Sequence, residues 1–263
     1  MISRSKLLWL ARAGFAGRGA VFLILGAFAG KAALGLGAQP VGATDALRDL
    51  LGSWAGWAIV LAIAVGLLCF AAFRALEAAA DVHGYGDDLS GIVRRAGLGA
   101  AGLFYAGLAV VAASIVFGWH VAAAGDQQVK SWTAWLLGFP GGAWLVGIAG
   151  VITVGAGVGL AIAGLRGSFQ RRVRVDGEQR PYVRALGMVG LVGRSVVFVL
   201  IGAFLVFAAV TSDPSKAQGF GGALRTIQHQ SYGDLLLGVA AIGLLAFGLF
   251  GMSEAVFARV KRG

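Results

Sequence analysis

Long apolar stretches alternate with short polar segments along this 263-residue chain. Five stretches carry no charge, and each is long enough to cross a hydrocarbon core of about 30 Å, which takes roughly 20 helical residues. They are residues 55–73, 96–119, 131–165, 195–212 and 235–253. A sixth stretch, residues 13–36, contains Arg18 and Lys31 toward its ends, where long basic side chains can reach the headgroups. The pattern predicts an all-α protein with six transmembrane helices.

The two ends of the chain carry the same motif. Residues 17–28 read GRGAVFLILGAF and residues 193–204 read GRSVVFVLIGAF, at a constant shift of 176 residues. A second block, residues 46–78, matches residues 223–255 with a shift of 177. Internal repeats determine architecture, and a weaker copy lies between these two. We therefore predict three two-helix hairpins with approximate threefold symmetry, which cover residues 1–82, 83–172 (the diverged copy) and 173–263.

Composition agrees with a membrane protein. Hydrophobic residues make up 58% of the chain and charged residues 13%, with a mean hydropathy of +0.82, whereas soluble domains contain about 25% charged residues. The basic N-terminus before an apolar stretch also fits a secretory signal peptide. The repeat disfavours that interpretation, because a close copy of this stretch lies deep inside the chain. The single Cys69 excludes a disulfide framework within the chain.

The charges are distributed unevenly between the two sides of the predicted bundle. Of the 22 basic residues, 17 fall on the side that carries both termini, and the whole net charge of +10 falls on that side. This is the positive-inside pattern, so we expect both termini to be cytoplasmic. A nucleic-acid partner is not expected, because the positive charge follows membrane topology.

Two groups of side chains are suited to the membrane interfaces. The loop of residues 166–184 carries six arginines, among which we expect lipid headgroups to contact Arg171, Arg172 and Arg174. On the other side, tryptophans at the span ends predict an aromatic belt at the membrane interface. The more specific alternative is that they form a binding surface for a carbohydrate or a cofactor. The tryptophans are Trp54, Trp57, Trp119, Trp132, Trp135 and Trp144.

Glycine is unusually frequent within the predicted spans. The chain has 44 glycines, more than twice the average usage of about 7%. Small residues allow helix backbones to approach closely in lipid. We predict helix contacts at Gly26, Gly30, Gly155 and Gly159, with a dimer seam or a glycine-lined pore as the functional alternatives.

Two charged positions recur inside the spans, one on each helix of a hairpin. The predicted structural ion pairs are Arg18 with Glu77 in the first copy and Arg194 with Glu254 in the last. In the middle copy the arginine position is Ala101, and the glutamate position is Ala161 or Ala163, so both charges are lost together. The alternative is a proton relay through the glutamates, but a carboxylate held against arginine is a poor proton carrier at neutral pH.

Catalytic or ligand-binding motifs are not evident in the sequence. His83, His120 and His229 stand apart, without a second ligand at a metal-binding spacing. The segment GAGVG at residues 155–159 lies within a span and follows no strand, unlike a dinucleotide-binding loop. We therefore expect no catalytic residues, no metal site and no cofactor, and we do not expect an enzyme.

The repeated motif resembles a known family. An arginine enters a Phe-rich helix, Ala-Leu-Arg follows, and Phe-x-x-Phe-x-x-x-Glu-Ala closes the second helix. These features resemble DUF1206, a family of uncharacterised bacterial membrane proteins with tandem two-helix repeats. The resemblance implies a bacterial inner-membrane location and no assigned activity.

For function, we expect a non-enzymatic structural or accessory component that contacts membrane lipids, another membrane protein or a second copy of itself. The alternatives are a channel or carrier for a small neutral solute, and a cofactor-dependent membrane redox or lipid enzyme.

Overall fold

The computed structural model describes residues 4–80, 86, 88–119, 125–167 and 180–257. Six long helices and three short ones follow one another along these residues. They are α1 (Arg4–Ala33), α2 (Ala43–Asp49), α3 (Trp54–Ala79), α4 (Leu89–Phe117), α5 (Asp126–Leu137), α6 (Gly142–Arg166), α7 (Arg180–Thr211), α8 (Phe220–Gln228) and α9 (Gly233–Phe257). Short 3₁₀ turns at Leu50–Gly52 and Pro214–Lys216 precede α3 and α8.

The six long helices are each long and apolar enough to cross a membrane. The predicted all-α class and the six spans are confirmed, and the chain is a multi-pass membrane protein. One boundary prediction is wrong, because residues 131–165 are not a single span. The first part belongs to the short helix α5, and α6 begins only at Gly142. The break contains Pro140 and Gly141, and Gly141 has φ +80°. It occurs there because neither a proline nor a residue with a left-handed backbone continues a helix.

Each pair of long helices is connected by a short helix at the end of the bundle opposite the termini. The residues that precede α2, α5 and α8 are Gly42, Gly125 and Gly219. Gly42 and Gly219 are related by the 177-residue shift of the repeat, and Gly125 begins the corresponding helix of the middle copy. The three short helices therefore start at matching points.

The repeat is visible in how the helices pack. A methyl group added at Gly17 would lie 2.7 Å from Gly66 Cα, and one added at Gly193 would lie 2.5 Å from Gly243 Cα. These four glycines are equivalent in pairs, so α1 approaches α3 as closely as α7 approaches α9. The side chains that are less than 2% exposed include matching residues of both copies, namely Leu47, Leu67 and Phe70, and Leu224, Leu244 and Phe247.

The spans follow a cyclic order. The first helix of each hairpin packs on the second helix of the preceding hairpin: α4 on α3, α7 on α6, and α1 on α9. Within hairpins, α1 packs on α3, and α7 packs on α9. The two helices of the middle hairpin, α4 and α6, are fully described and make no extensive contact with each other. The ring of six spans is therefore closed everywhere except between α4 and α6.

Candidate functional site

A buried ion pair joins the first and last spans. Arg18 Nη2 donates to Glu254 Oε2, and the two side chains are only 7% and 10% exposed. The guanidinium carbon of Arg18 lies 5.0 Å from the centre of the Phe70 ring and 4.9 Å from that of Phe247, while Arg18 Nε has no hydrogen-bond partner in the described part of the chain. The carboxylate offsets the cost of a charge at membrane depth, and the rings add cation–π attraction.

Glu77 has a partner on its own helix. Arg74 Nη1 donates to Glu77 Oε2 over 2.7 Å, one turn apart on α3, and both side chains are buried. The predicted pairing of Arg18 with Glu77 and of Arg194 with Glu254 is therefore wrong. Glu254 pairs with Arg18, so the ion pair joins two different hairpins instead of closing one.

The register between neighbouring hairpins explains this exchange of partners. A methyl group at Gly248 would lie 2.9 Å from Gly19 O and 2.8 Å from Leu23 N, so α1 and α9 touch backbone to backbone. Arg18 precedes Gly19 on the antiparallel helix, and its long side chain reaches Glu254, less than two turns beyond Gly248. An arginine at this position therefore faces the preceding hairpin and not its own.

The contact between α6 and α7 has the same geometry. A methyl group at Gly157 would lie 3.1 Å from Ser195 O and 3.0 Å from Val199 N, which are the residues equivalent to Gly19 and Leu23. This match aligns α6 with α9 at an offset of 91 residues. With that offset, Ala163 of α6 is equivalent to Glu254 of α9. Of the two candidates that the sequence left open, Ala161 and Ala163, the structure therefore selects Ala163.

The contact between α3 and α4 completes the set. A methyl group at Gly102 would lie 3.2 Å from Ala71 O, and these two residues are equivalent to Gly19 and Gly248. Ala101 therefore lies opposite Glu77 as Arg18 lies opposite Glu254. The middle copy thus lacks both the arginine that would face Glu77 and the glutamate that would face Arg194. Arg74, which is Gly251 in the last copy, provides a cation for Glu77 within the same helix.

Arg194 is surrounded mainly by aromatic side chains. Its Nη2 donates to Tyr105 Oη over a long 3.5 Å, and its guanidinium carbon lies 5.0, 4.7 and 4.8 Å from the ring centres of Phe22, Phe198 and Phe247. Its Nε is buried without a hydrogen-bond partner among the described residues. Phe22, Tyr105 and Phe198 occupy matching positions on α1, α4 and α7. Arg194 therefore lies near the pseudo-threefold axis.

The open side of the ring leaves two apolar helix faces uncovered. We call it the α4–α6 seam, and its residues are Gly97, Ala100 and Phe104 of α4 and Ile152, Ala156 and Gly159 of α6. Phe104 is 64% exposed and Ile152 is 65% exposed, and a methyl group at Gly97 would meet nothing within 4 Å. In the other hairpins the equivalent faces interlock through glycine and phenylalanine.

The offset of 91 residues identifies the positions at which α6 has smaller side chains than α9. Ala156 stands where α9 has Phe247, and Gly159 stands where α9 has Phe250. Both phenylalanines are buried, with exposures of 1% and 3%. The second helix of the middle hairpin therefore lacks two large side chains that fill the equivalent seam elsewhere, as well as the glutamate.

Comparison with known proteins agrees with this repeat. The family model described as Domain of Unknown Function (DUF1206) matches residues 13–81 and 189–258, which include both arginines and both glutamates of the recurring charged positions. The chain belongs to the DUF1206 family. It is similar to an uncharacterized protein, YxxB, of Bacillus subtilis (strain 168), with 28% identity over 249 residues, or 94% of this chain and 89% of that protein. No solved structure matches the chain.

In this DUF1206 protein the end of the bundle opposite the termini is held by polar contacts among all three hairpins. Arg225 of α8 pairs with Asp126 of α5 and donates to Pro40 O over 3.2 Å. Asp126 Oδ1 also accepts from Gly219 N at 3.0 Å. Nearby, burial raises the pKa of Asp45. The three short helices therefore form a cross-linked cover, here called the polar cap.

The predicted glycine contacts have different outcomes. A methyl group at Gly26 would lie 2.7 Å from Leu245 Cγ, and one at Gly30 would lie 3.9 Å from Ala241 Cβ, so α1 uses both positions against α9. A methyl group at Gly155 or at Gly159 would meet nothing within 4 Å, so neither glycine allows a close helix contact, contrary to the prediction. Both are exposed on α6, because the helix that would cover them, α4, does not pack there.

Other sequence expectations have mixed outcomes. Arg171, Arg172 and Arg174 lie outside the described residues. The six tryptophans are between 43% and 86% exposed at the end of the bundle opposite the termini. Sequence reasoning missed the partners Arg74, Asp126 and Tyr105. The three-residue spacing of Arg74 and Glu77 was a signal for the first, whereas Asp126 and its partner are 99 residues apart.

Proposed function

We propose that this protein is a non-enzymatic accessory component of the bacterial inner membrane, which contacts lipids or another membrane component through the α4–α6 seam. The observation that supports this role is the open side of an otherwise closed ring. In a membrane, an apolar helix face that packs on no other helix of its own chain is covered by lipid chains or by a helix of another protein.

The proposed orientation places both termini in the cytoplasm. It rests on the excess of basic residues on the side of the termini. Cys69 is the single native cysteine, so in a Cys69→Ala background one cysteine can be placed at Gly263 or at Ser212. A membrane-impermeant thiol reagent applied to intact cells is expected to label the Ser212→Cys variant and not the Gly263→Cys variant. The reverse pattern contradicts the orientation.

A contact role is better supported than a solute pathway. Near the axis, Arg194 and the surrounding phenylalanine rings occupy the centre of the described bundle. At the other end, Leu47 and Leu224 of the polar cap are at most 1% exposed. Flux of a small neutral solute into liposomes that depends on the protein would favour the carrier alternative.

The decisive experiment is to fill the α4–α6 seam with large side chains and to identify which bound lipid or protein is lost. The Ala156→Phe/Gly159→Phe variant restores the two phenylalanines found in the other hairpins. A matched control, Val151→Phe/Val158→Phe, adds the same side chains to exposed positions on another face of α6, which are 63% and 47% exposed.

Both variants and the unmodified protein are extracted with the surrounding membrane in polymer nanodiscs. Lipids and associated proteins are then quantified by mass spectrometry. We expect the seam variant to lose a bound component that the control retains. Equal composition in all three samples contradicts the proposal, and a visible absorption band from a bound cofactor would favour the enzyme alternative.

A further inference from the structure

We propose that Arg194 binds the phosphate of an anionic phospholipid whose acyl chain lies in the α4–α6 seam. This inference rests on the proposed lipid-contacting role and names the ligand. It starts from the charges. Among the three arginines clustered around Phe70 and Phe247, Arg18 and Arg74 each have a glutamate partner. The contacts of Arg194 among the described residues are one long hydrogen bond and three aromatic rings.

The equivalent pair shows which position beside Arg194 a carboxylate or phosphate would take. Arg18 and Arg194 occupy the same position on α1 and α7, and Arg18 is paired with Glu254 of the adjacent second helix. On the helix adjacent to Arg194, the equivalent residue is Ala163, whose side chain ends at Cβ. An anionic oxygen from outside the chain can therefore reach the place beside Arg194 that corresponds to the position of the Glu254 carboxylate beside Arg18.

The seam supplies a route and a binding surface for an acyl chain. Ala156 and Gly159 follow the same helix face as Ala163, and they replace phenylalanines that are buried in the other hairpins. Both residues are exposed. Tyr105, which contacts Arg194, lies on α4, the helix on the opposite side of the seam. A chain lying along α6 therefore leads toward the guanidinium.

The depth of the site fits a lipid headgroup. Ala163 lies three residues before Arg166, the last residue of α6, which Gly167 caps, and three residues correspond to about 5 Å at 1.5 Å rise per residue. The place beside Arg194 that corresponds to Glu254 therefore lies close to the end of α6 on the side of the termini. A guanidinium binds phosphate through parallel hydrogen bonds. An anionic headgroup balances the charge of Arg194, whereas a zwitterionic headgroup brings a cation of its own.

The test replaces the lipid charge with a charge from the protein. The Ala163→Glu variant offers Arg194 the carboxylate that Arg18 already has, and it retains a balanced ion pair. The Ala163→Gln variant is the matched control, because it has nearly the same size and shape without the charge. Arg194→Gln removes the cation, and melting temperature in detergent shows whether each variant is folded.

Binding is measured by native mass spectrometry of protein from nanodiscs that contain phosphatidylglycerol and phosphatidylcholine in equal amounts. We expect the unmodified protein to retain one phosphatidylglycerol in preference to phosphatidylcholine. That preference should fall at least about tenfold in Ala163→Glu, the effect of losing one charge-assisted hydrogen bond. It should fall less in Ala163→Gln.

Three results would overturn the inference: no preference in the unmodified protein, an unchanged preference in Ala163→Glu, or equal losses in the Glu and Gln variants. Displacement of the lipid by excess inorganic phosphate alone would also overturn it, because the acyl chain would then contribute nothing. If the seam-filling variant still releases a lipid or a protein while these charge variants change nothing, the contact role stands and the assignment of Arg194 fails.

Discussion

Arg18 on the first span and Glu254 on the last form a buried ion pair that closes the ring of helices between the two ends of the chain. Because α1 and α9 also touch backbone to backbone at Gly19 and Gly248, the pair lies in one of the tightest contacts of the bundle. A buried pair of this kind contributes more to the choice of partner helix than to net stability, whereas removal of one member leaves an uncompensated charge.

Loss of either member of this pair should be costly. We expect Arg18→Gln and Glu254→Gln each to destabilise the protein by about 3–5 kcal/mol, because each leaves the other charge buried. The double variant should recover part of that loss, with a coupling energy of about 0.5–3 kcal/mol in thermal unfolding measured in detergent. Arg18→Gln combined with Glu77→Gln is the control. Additive losses in the Arg18/Glu254 cycle would contradict direct pairing.

A single methyl group should distinguish the closed contacts from the open seam. In Gly17→Ala the new methyl group would lie 2.7 Å from Gly66 Cα, and overpacking of this kind costs about 1–3 kcal/mol. Gly155→Ala adds the same group where nothing lies within 4 Å, and it should gain up to about 1 kcal/mol from the higher helix propensity of alanine. Melting temperatures of the two variants check this. A large loss in Gly155→Ala would show that α6 is covered.

The sequence was sufficient to predict the spans, because twenty apolar residues have few structures available in lipid, and to predict the repeat, because its two copies align. The partner of Arg18 was not predictable from spacing alone. Glu77 and Glu254 occupy the same position in their copies, and only the way in which hairpins stack selects between them. The pairing of Asp126 with Arg225 has the same origin, since it depends on how two separate loops meet.

The open seam predicts that one face of α6 meets the lipid phase. In a Cys69→Ala background, a nitroxide label on Ala156→Cys should collide with oxygen dissolved in the bilayer as often as a label on Val151→Cys, which is at an exposed position. A label on Ala241→Cys, where the native side chain is 2% exposed, provides the buried reference. Power-saturation electron paramagnetic resonance in liposomes measures the collision rates. A rate at Ala156 close to that at Ala241 would show that a helix or a partner closes the seam.

The polar cap should respond to pH through Asp45. Burial raises the pKa of this carboxyl, with a further increase from Asp126, while Arg48 and Arg225 act in the opposite direction. The folded state therefore binds the proton more tightly than the unfolded state, where the pKa is near 3.8. The contribution of Asp45 to stability is fully present below that value and is lost as pH rises through the higher folded pKa. We expect Asp45→Asn to remove this loss, so that its advantage in melting temperature over the unmodified protein grows as pH rises from 3.8 toward neutral.

Asp213 provides a control of opposite sign at the same end of the bundle. Hydrogen bonds from the hydroxyl and backbone of Ser215 lower the pKa of Asp213, so its contribution is present above the unfolded pKa and is lost as pH falls through the folded pKa. Asp213→Asn should therefore lower the melting temperature near neutral pH, and the difference from the unmodified protein should shrink in acid. If the two asparagine variants show the same pH trend, the effect comes from a general loss of negative charge and not from the partial burial of Asp45.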